Sequence, residues 1–234
     1  MKLYYDFHIH SCLSPCGSDD MTPNNIVGMA ALSGYNIIAL TDHNCCKNCE
    51  AAVKVGKANG ITVIPGMELC TSEEIHIVCL FPTVEKAMKF SDYVEENSMD
   101  IPNNPEIFGN QLIMNEDDEV VGIHKGLLTI ASNISVENVK DIVESFGGIC
   151  YPAHLNRDSY SIISVLGGFP TEQGFTVAEF SDGEKIEAYT KLFGLENLKI
   201  IRSSDAHYLE NIPDAEHQIE LEENSAECLI KYLR

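Results

Sequence analysis

The chain has 234 residues, 44% of them hydrophobic, with 36 acidic against 15 basic side chains and a formal charge of −21. That length suits one large α/β unit, and that charge repels a phosphate backbone, which argues against long nucleic acids held in a basic groove. No stretch joins a basic start to an apolar run and a small-residue cleavage site, and no apolar run nears the roughly 18 residues that span a bilayer; a cytoplasmic protein with no membrane partner is expected.

The first predicted element is the strand LYYDFHI. Side chains at i and i+2 share a strand face, so His8 and His10 point the same way. After the loop SCLSPCGSDD, Thr22 as N-cap and Pro23 at the first helical position open a helix that stops at Gly34. The strand YNIIALT follows, ending at Asp42 and His43, then HNCCKNCE and a helix that ends near Asn59 and Gly60. ITVIPGM runs into Glu68, and IHIVCLF opens on His76. TVEKAMKFSDYVEE reads as a helix, and residues 99–133 as a surface excursion with a hairpin. SVENVKDIVESFGG is a helix, GGICYPA a strand ending at His154, FTVAEF a strand carrying Glu179, EKIEAYTKLFG a helix, LKIIRSS a strand ending at Asp205 and His207, and SAECLIKYLR a last helix. Near-continuous apolar strands alternating with amphipathic helices predict an α/β fold with a parallel sheet covered on both faces.

In a parallel α/β fold the strand C-termini converge on the active site. Six of the eight histidines fall at or beside strand ends, together with Glu68 and Asp205. Imidazoles mixed with carboxylates favour zinc, manganese or iron over calcium or magnesium. The donors exceed what one tetrahedral ion can use, so two or three divalent ions are expected, with Glu68 able to bridge a pair. The nine cysteines read as reduced thiols, although Cys46 and Cys49 have metal-clip spacing that Cys12 and Cys16 could complete.

The ordered motifs HIHSCLS, ALTDHN, GMEL with HIVCLF, PAH and SDAH resemble those of the PHP (polymerase and histidinol phosphatase) family of metal-dependent phosphoesterases, from Asp6 to His207. The resemblance implies a distorted (β/α)7 barrel, a single domain over residues 1–234, and up to three metals. His8, His10, Glu68 and Asp205 would hold the first ion, Glu68, His76 and His154 the second. His43 and His207 would hold the third, with Asp19 as the ligand from the loop after His10, and Asp20 and Cys16 behind it. His8, His10, Glu68, His154, Asp205 and His207 would carry the chemistry.

PAHLNRDSYS is similar to the run in family members that act on nucleotides bearing 3′- and 5′-phosphates, which implies a small phosphorylated substrate with Arg157 on a phosphate and Glu179 lining the pocket. A guanidinium fork suits phosphate oxygens. Asp42 is a candidate to orient His43 through its second ring nitrogen. The alternatives are a monophosphatase of the histidinol-phosphate type and a catalytically idle metal-binding or partner-binding module.

Overall fold

The computed structural model describes all 234 residues. Strands β1 (Lys2–Ile9), β2 (Ile37–Leu40) and β3 (Thr62–Cys70) pair in parallel, joined by helices α1 (Pro23–Leu32) and α2 (Cys49–Asn59). Local chemistry explains the helix limits. Thr22 accepts a hydrogen bond from the Asn25 backbone N–H, Pro23 occupies the first turn, and Gly60 closes α2 at φ 74°.

Strand β4 (His76–Leu80) corrects the all-parallel expectation, because it runs antiparallel to β3 and to β7 (Ile149–Pro152). Residues 71–75 connect β3 to β4, far fewer than the dozen or so that a parallel crossover needs, so a hairpin is the only connection available. The reversal also explains why His76 opens its strand while the other ligand candidates close theirs. Helices α3 (Val84–Glu96) and α5 (Val136–Ser145) pack outside this part of the sheet. Between them lie the short helix α4 (Pro105–Phe108) and the hairpin of β5 (Leu112–Met114) and β6 (Val120–Ile123). The hairpin is tied to the start of α1, where Asp118 accepts from Thr22, and to α2 through Lys54 and Glu116.

After α6 (Ile162–Leu166), strands β8 (Val177–Phe180) and β9 (Lys199–Arg202) form a parallel pair flanking α7 (Ile186–Phe193). The Leu155 N–H donates to Glu179 O at 2.8 Å and the His10 N–H to Ala206 O at 2.9 Å, which joins the pair to β7 on one side and β1 on the other. The distorted barrel thus closes at the end that carries the histidines. Strand β10 (Gln218–Glu220) adds antiparallel to β1.

The inner core gathers Tyr5, Phe7, Ala39, Ile64, Val78, Tyr151 and Val177, and helix α8 (Ala226–Leu233) contributes Leu229, Ile230 and Leu233 to it. The outer core lies between sheet and helices and takes Ile9, Leu40, Met67 and Cys79. Tyr5, Phe7 and Ile9 would share one face of a regular strand, yet Ile9 packs outside. The register slip between Asp6 and Ile9 accounts for this and turns His8 and His10 inward. No helix is long and apolar enough to cross a membrane.

Candidate metal centre

The β1 slip delivers two buried imidazoles side by side. His8 Nδ1–H donates to Glu179 Oε1 at 2.8 Å. His10 Nδ1–H donates to Ser14 Oγ at 2.9 Å, and the Ser14 hydroxyl in turn donates to Asp42 Oδ1 at 2.7 Å. This network assigns both Nδ1 atoms as donors, so in neutral rings both Nε2 atoms carry lone pairs, and they face each other at 3.1 Å. Two neutral rings so placed repel, and either a proton on His8 or a metal ion against both relieves the contact.

Glu68, at the site end of β3, is the hub. Its Oε1 lies 3.2 Å from His8 Nε2, 2.9 Å from His76 Nδ1 and 3.1 Å from His154 Nε2. Its Oε2 lies 3.4 Å from His10 Nε2 and 3.0 Å from His43 Nδ1. Asp205 Oδ1 stands 3.4 Å from His8 Nε2 and 3.2 Å from His10 Nε2. Donor atoms gather within 4.8 Å of one another in three groups: His8, His10 and Glu68; His43, Glu68 and His76; and His10, His43 and His207. His43 Nδ1, His154 Nδ1 and Asp205 Oδ1 are buried without a hydrogen-bond partner, which a metal ion would remedy. His207 Nδ1–H donates to the Asp205 carbonyl at 2.9 Å, leaving Nε2 free. The donor set fits borderline divalent ions such as zinc, manganese or iron.

Part of the chain's backbone strain lies at the same place. Asn44, His154 and Asp205 sit at φ 48°, 30° and 52°, a left-handed region that costs a non-glycine residue about 1–3 kcal/mol. The Asn44 amide resists relaxation by donating to Leu128 O and Ile130 O at 2.8 Å each, while its oxygen accepts from the Cys70 N–H.

Electrostatics follow from burying these groups together. Burial pushes the His8 imidazole down, but the charges of Glu179, Asp205 and Glu68 outweigh it and hold its pKa well above the usual value. Burial likewise opposes protonation of His43, yet Glu68 and a hydrogen bond with Cys16 raise it to about 10. His10 moves the other way, driven well below its usual range by burial and by His207 and His43. Burial would raise Glu68; the surrounding His76, His8 and His43 overcome it and keep the carboxyl ionised. Without metal the centre therefore holds protons on some imidazoles where ions would bind.

The structure brings together His8, His10, His43, Glu68, His76, His154, Asp205 and His207, and leaves Asp19 outside. Asp19 is exposed and its Oδ2 accepts from Asn110 Nδ2 at 2.8 Å. Glu179, expected on the pocket wall, is instead 1% exposed behind His8, where it also accepts from the His154 N–H at 3.0 Å. Asp42 reaches His10 through Ser14, a correction to its expected pairing with His43, because Ser11 and Ser14 saturate its oxygens. The carboxylate–imidazole relay that sequence reading missed is Glu179 to His8. A glutamate one residue before the end of a strand facing HIH was the only available signal. Glu179→Gln keeps an acceptor for His8 but removes its charge, so metal affinity or activity is expected to fall about 10–100-fold with an unchanged circular dichroism spectrum. Equal metal affinity and activity would refute that relay.

Arg157 stands at the mouth, 45% exposed, with one guanidinium nitrogen 2.7 Å from Asp205 Oδ2. The four-thiolate clip does not assemble. The Cys46 and Cys49 thiols both donate to Gly66 O, at 3.1 and 3.4 Å, and Cys12 faces Leu112 O. Cys16, the one exposed thiol of the four, alone lies beside the histidines, next to His43 and His207.

Comparison with known proteins gives these contacts a context. The PHP domain model matches residues 6–229. A 5′-3′ exoribonuclease of Haemophilus influenzae is 37% identical over 83 residues, covering 34% of this chain and 29% of that protein. An uncharacterised protein of Methanocaldococcus jannaschii is 30% identical over 100 residues, 39% of this chain and 58% of its own. Among solved structures, the lesion-specific endonuclease Q of Pyrococcus furiosus superposes with a TM-score of 0.71 at 18% identity, over 100% of this chain and 56% of that one. An amidohydrolase from Chromobacterium violaceum, solved with sulfate bound, gives 0.59 at 19% identity over 95% and 93%. The chain thus spans less than two thirds of the length of both curated relatives and of the endonuclease. At such identities the superpositions establish a shared fold, and the domain match, which covers nearly every strand and all eight gathered donors, means that the chain belongs to the PHP domain family.

Proposed function

We propose that this protein is a metal-dependent phosphomonoesterase acting on a small nucleotide with phosphates at both 3′ and 5′ positions, or on the end of a short oligonucleotide. The observation that carries the reading is Arg157: a half-exposed guanidinium in contact with Asp205 at the edge of the histidine cluster. There it can hold one phosphate while the cluster holds the ester to be cleaved. The exoribonuclease and endonuclease relatives support a nucleotide-type ester, and the charge of −21 disfavours long strands.

His8, His10, Glu68 and Asp205 would hold one ion, Glu68, His76 and His154 a second, and His43 and His207 a third. Bound divalent ions supply a nucleophilic hydroxide at neutral pH and offset charge on the phosphoryl oxygens. Glu179 and the Ser14–Asp42 pair keep His8 and His10 in the tautomer that presents Nε2. Arg157 orients the substrate and adds a positive charge at the edge of the cluster. His207, 19% exposed at its side chain, is the most exposed of the gathered histidines and lies at their opening.

The test is phosphate release from adenosine 3′,5′-bisphosphate, with 3′-AMP, 5′-AMP and histidinol phosphate alongside. Preference for the bisphosphate is expected. Arg157→Ala should raise its KM about 10–100-fold, matching the roughly 1.5–3 kcal/mol of a charged hydrogen bond, with a smaller change in kcat. Faster turnover of histidinol phosphate, unaffected by Arg157→Ala, would favour the monophosphatase instead, and no turnover by metal-loaded protein would favour an idle module.

A further inference from the structure

We propose that Cys16 is a thiolate ligand of the third metal position, completing the donor set of His43 and His207 in place of a carboxylate. This rests on the metal-dependent reading above and concerns only which side chain the loop after His10 contributes.

Backbone geometry puts the thiol there. The Gly17 N–H donates to Ser14 O at 2.9 Å and the Ser18 N–H to His207 O at 2.9 Å, so the chain is pinned directly after Cys16, against the backbone of His207 itself. Gly17 has no room for a side chain: a Cβ would meet Ser11 O at 2.9 Å and Ser14 O at 3.2 Å. Cys16, exposed at the rim of the cluster, therefore lies beside two imidazoles whose own donors converge with His10 within 4.8 Å. Of these two, His43 is buried and its Nδ1 lacks a hydrogen-bond partner. The carboxylates of the loop are turned away. Asp19 is held by Asn110, and Asp20 is exposed, with its carbonyl accepting from Asn25 Nδ2 at 2.9 Å.

The chemistry follows from the donor. Binding displaces the thiol proton to solvent and leaves a sulfur anion of the same charge as the carboxylate it replaces, so the charge of the centre is unaltered. Its softness differs. A thiolate favours zinc, cobalt or ferrous iron over manganese or magnesium, which makes the third position chemically distinct from the two built on Glu68.

Cobalt reports this directly, because sulfur ligation adds an intense near-ultraviolet charge-transfer band to the weaker visible d–d bands. Cobalt-loaded wild-type protein is expected to show that band. Cys16→Ser should lose it together with one cobalt per chain, and Cys16→Asp should recover the cobalt without the band. A Cys46→Ser/Cys49→Ser variant should keep both, which separates Cys16 from the other thiols. A band that survives Cys16→Ser, or visible bands with no charge-transfer band in wild-type protein, overturns the proposal and spares the metal centre. Absence of every cobalt band overturns both.

Discussion

Glu68→Gln is expected to lower phosphatase turnover by about 10³-fold or more and to strip metal from the protein, with the fold retained. Glu68 is the one side chain in contact with His8, His10, His43, His76 and His154. Substituting an amide changes almost no volume but deletes the charge that two ions would share. Losing several kcal/mol of charge stabilisation corresponds to a rate change of that order. Metal analysis by mass spectrometry beside a steady-state assay checks it. Normal metal content with normal turnover would mean that the Glu68 hub is a packing feature and the chemistry lies elsewhere.

Removing the metals should lower the melting temperature by about 10 °C for each ion held at a thousandfold above its dissociation constant. Such an ion stabilises the native state by about 4 kcal/mol, and a chain of this size shifts by about 2–4 °C per kcal/mol. The gap between loaded and chelated protein should narrow as the pH falls from 8 to 6. In the metal-free protein His43 is raised to about 10, above its unfolded value, so its protonation contributes stability that is fully present below about 6.5 and is lost as pH rises through 10. Ions need the neutral ring, so their contribution moves the other way, weakening as protons compete in acid. Both trends widen the gap at alkaline pH. Calorimetry of the two forms at several pH values measures it; a gap independent of pH would show that His43 is not displaced by metal.

Much of the fold was legible from local pattern. Runs such as ITVIPGM and GGICYPA are too apolar for anything but a strand covered on both faces, and β3 and β7 occupy those stretches. Strand direction was not legible from the same runs, because apolar content carries no sense of direction. The shortness of the link 71–75 held that information, and with it the reason that His76 stands at the start of β4. The gathered donors were legible because their residue types recur at strand ends, which the barrel brings together by construction. The loop residues were not. Whether Cys16 or Asp19 turns inward depends on hydrogen bonds to His207 and Asn110, more than 90 residues away in sequence. Glu179 was misread for a similar reason: a strand-end acid can face the cavity or stand behind a ligand, and only the position of His8 decides.

The pairing of β1 with β10 bears on how the molecule reaches its native state. Lys2 lies opposite Glu220, so the strand carrying His8 and His10 acquires one of its two neighbours from the far end of the chain. During synthesis from the N-terminus that edge stays open until residues 218–220 have emerged. Closing so long a loop costs entropy that only the completed sheet and α8 repay, since Leu229 and Leu233 join the same inner core as Phe7. The strand richest in ligands is therefore among the last to be sealed, and a chain interrupted before residue 218 would present an exposed, apolar β-edge prone to pairing with other chains.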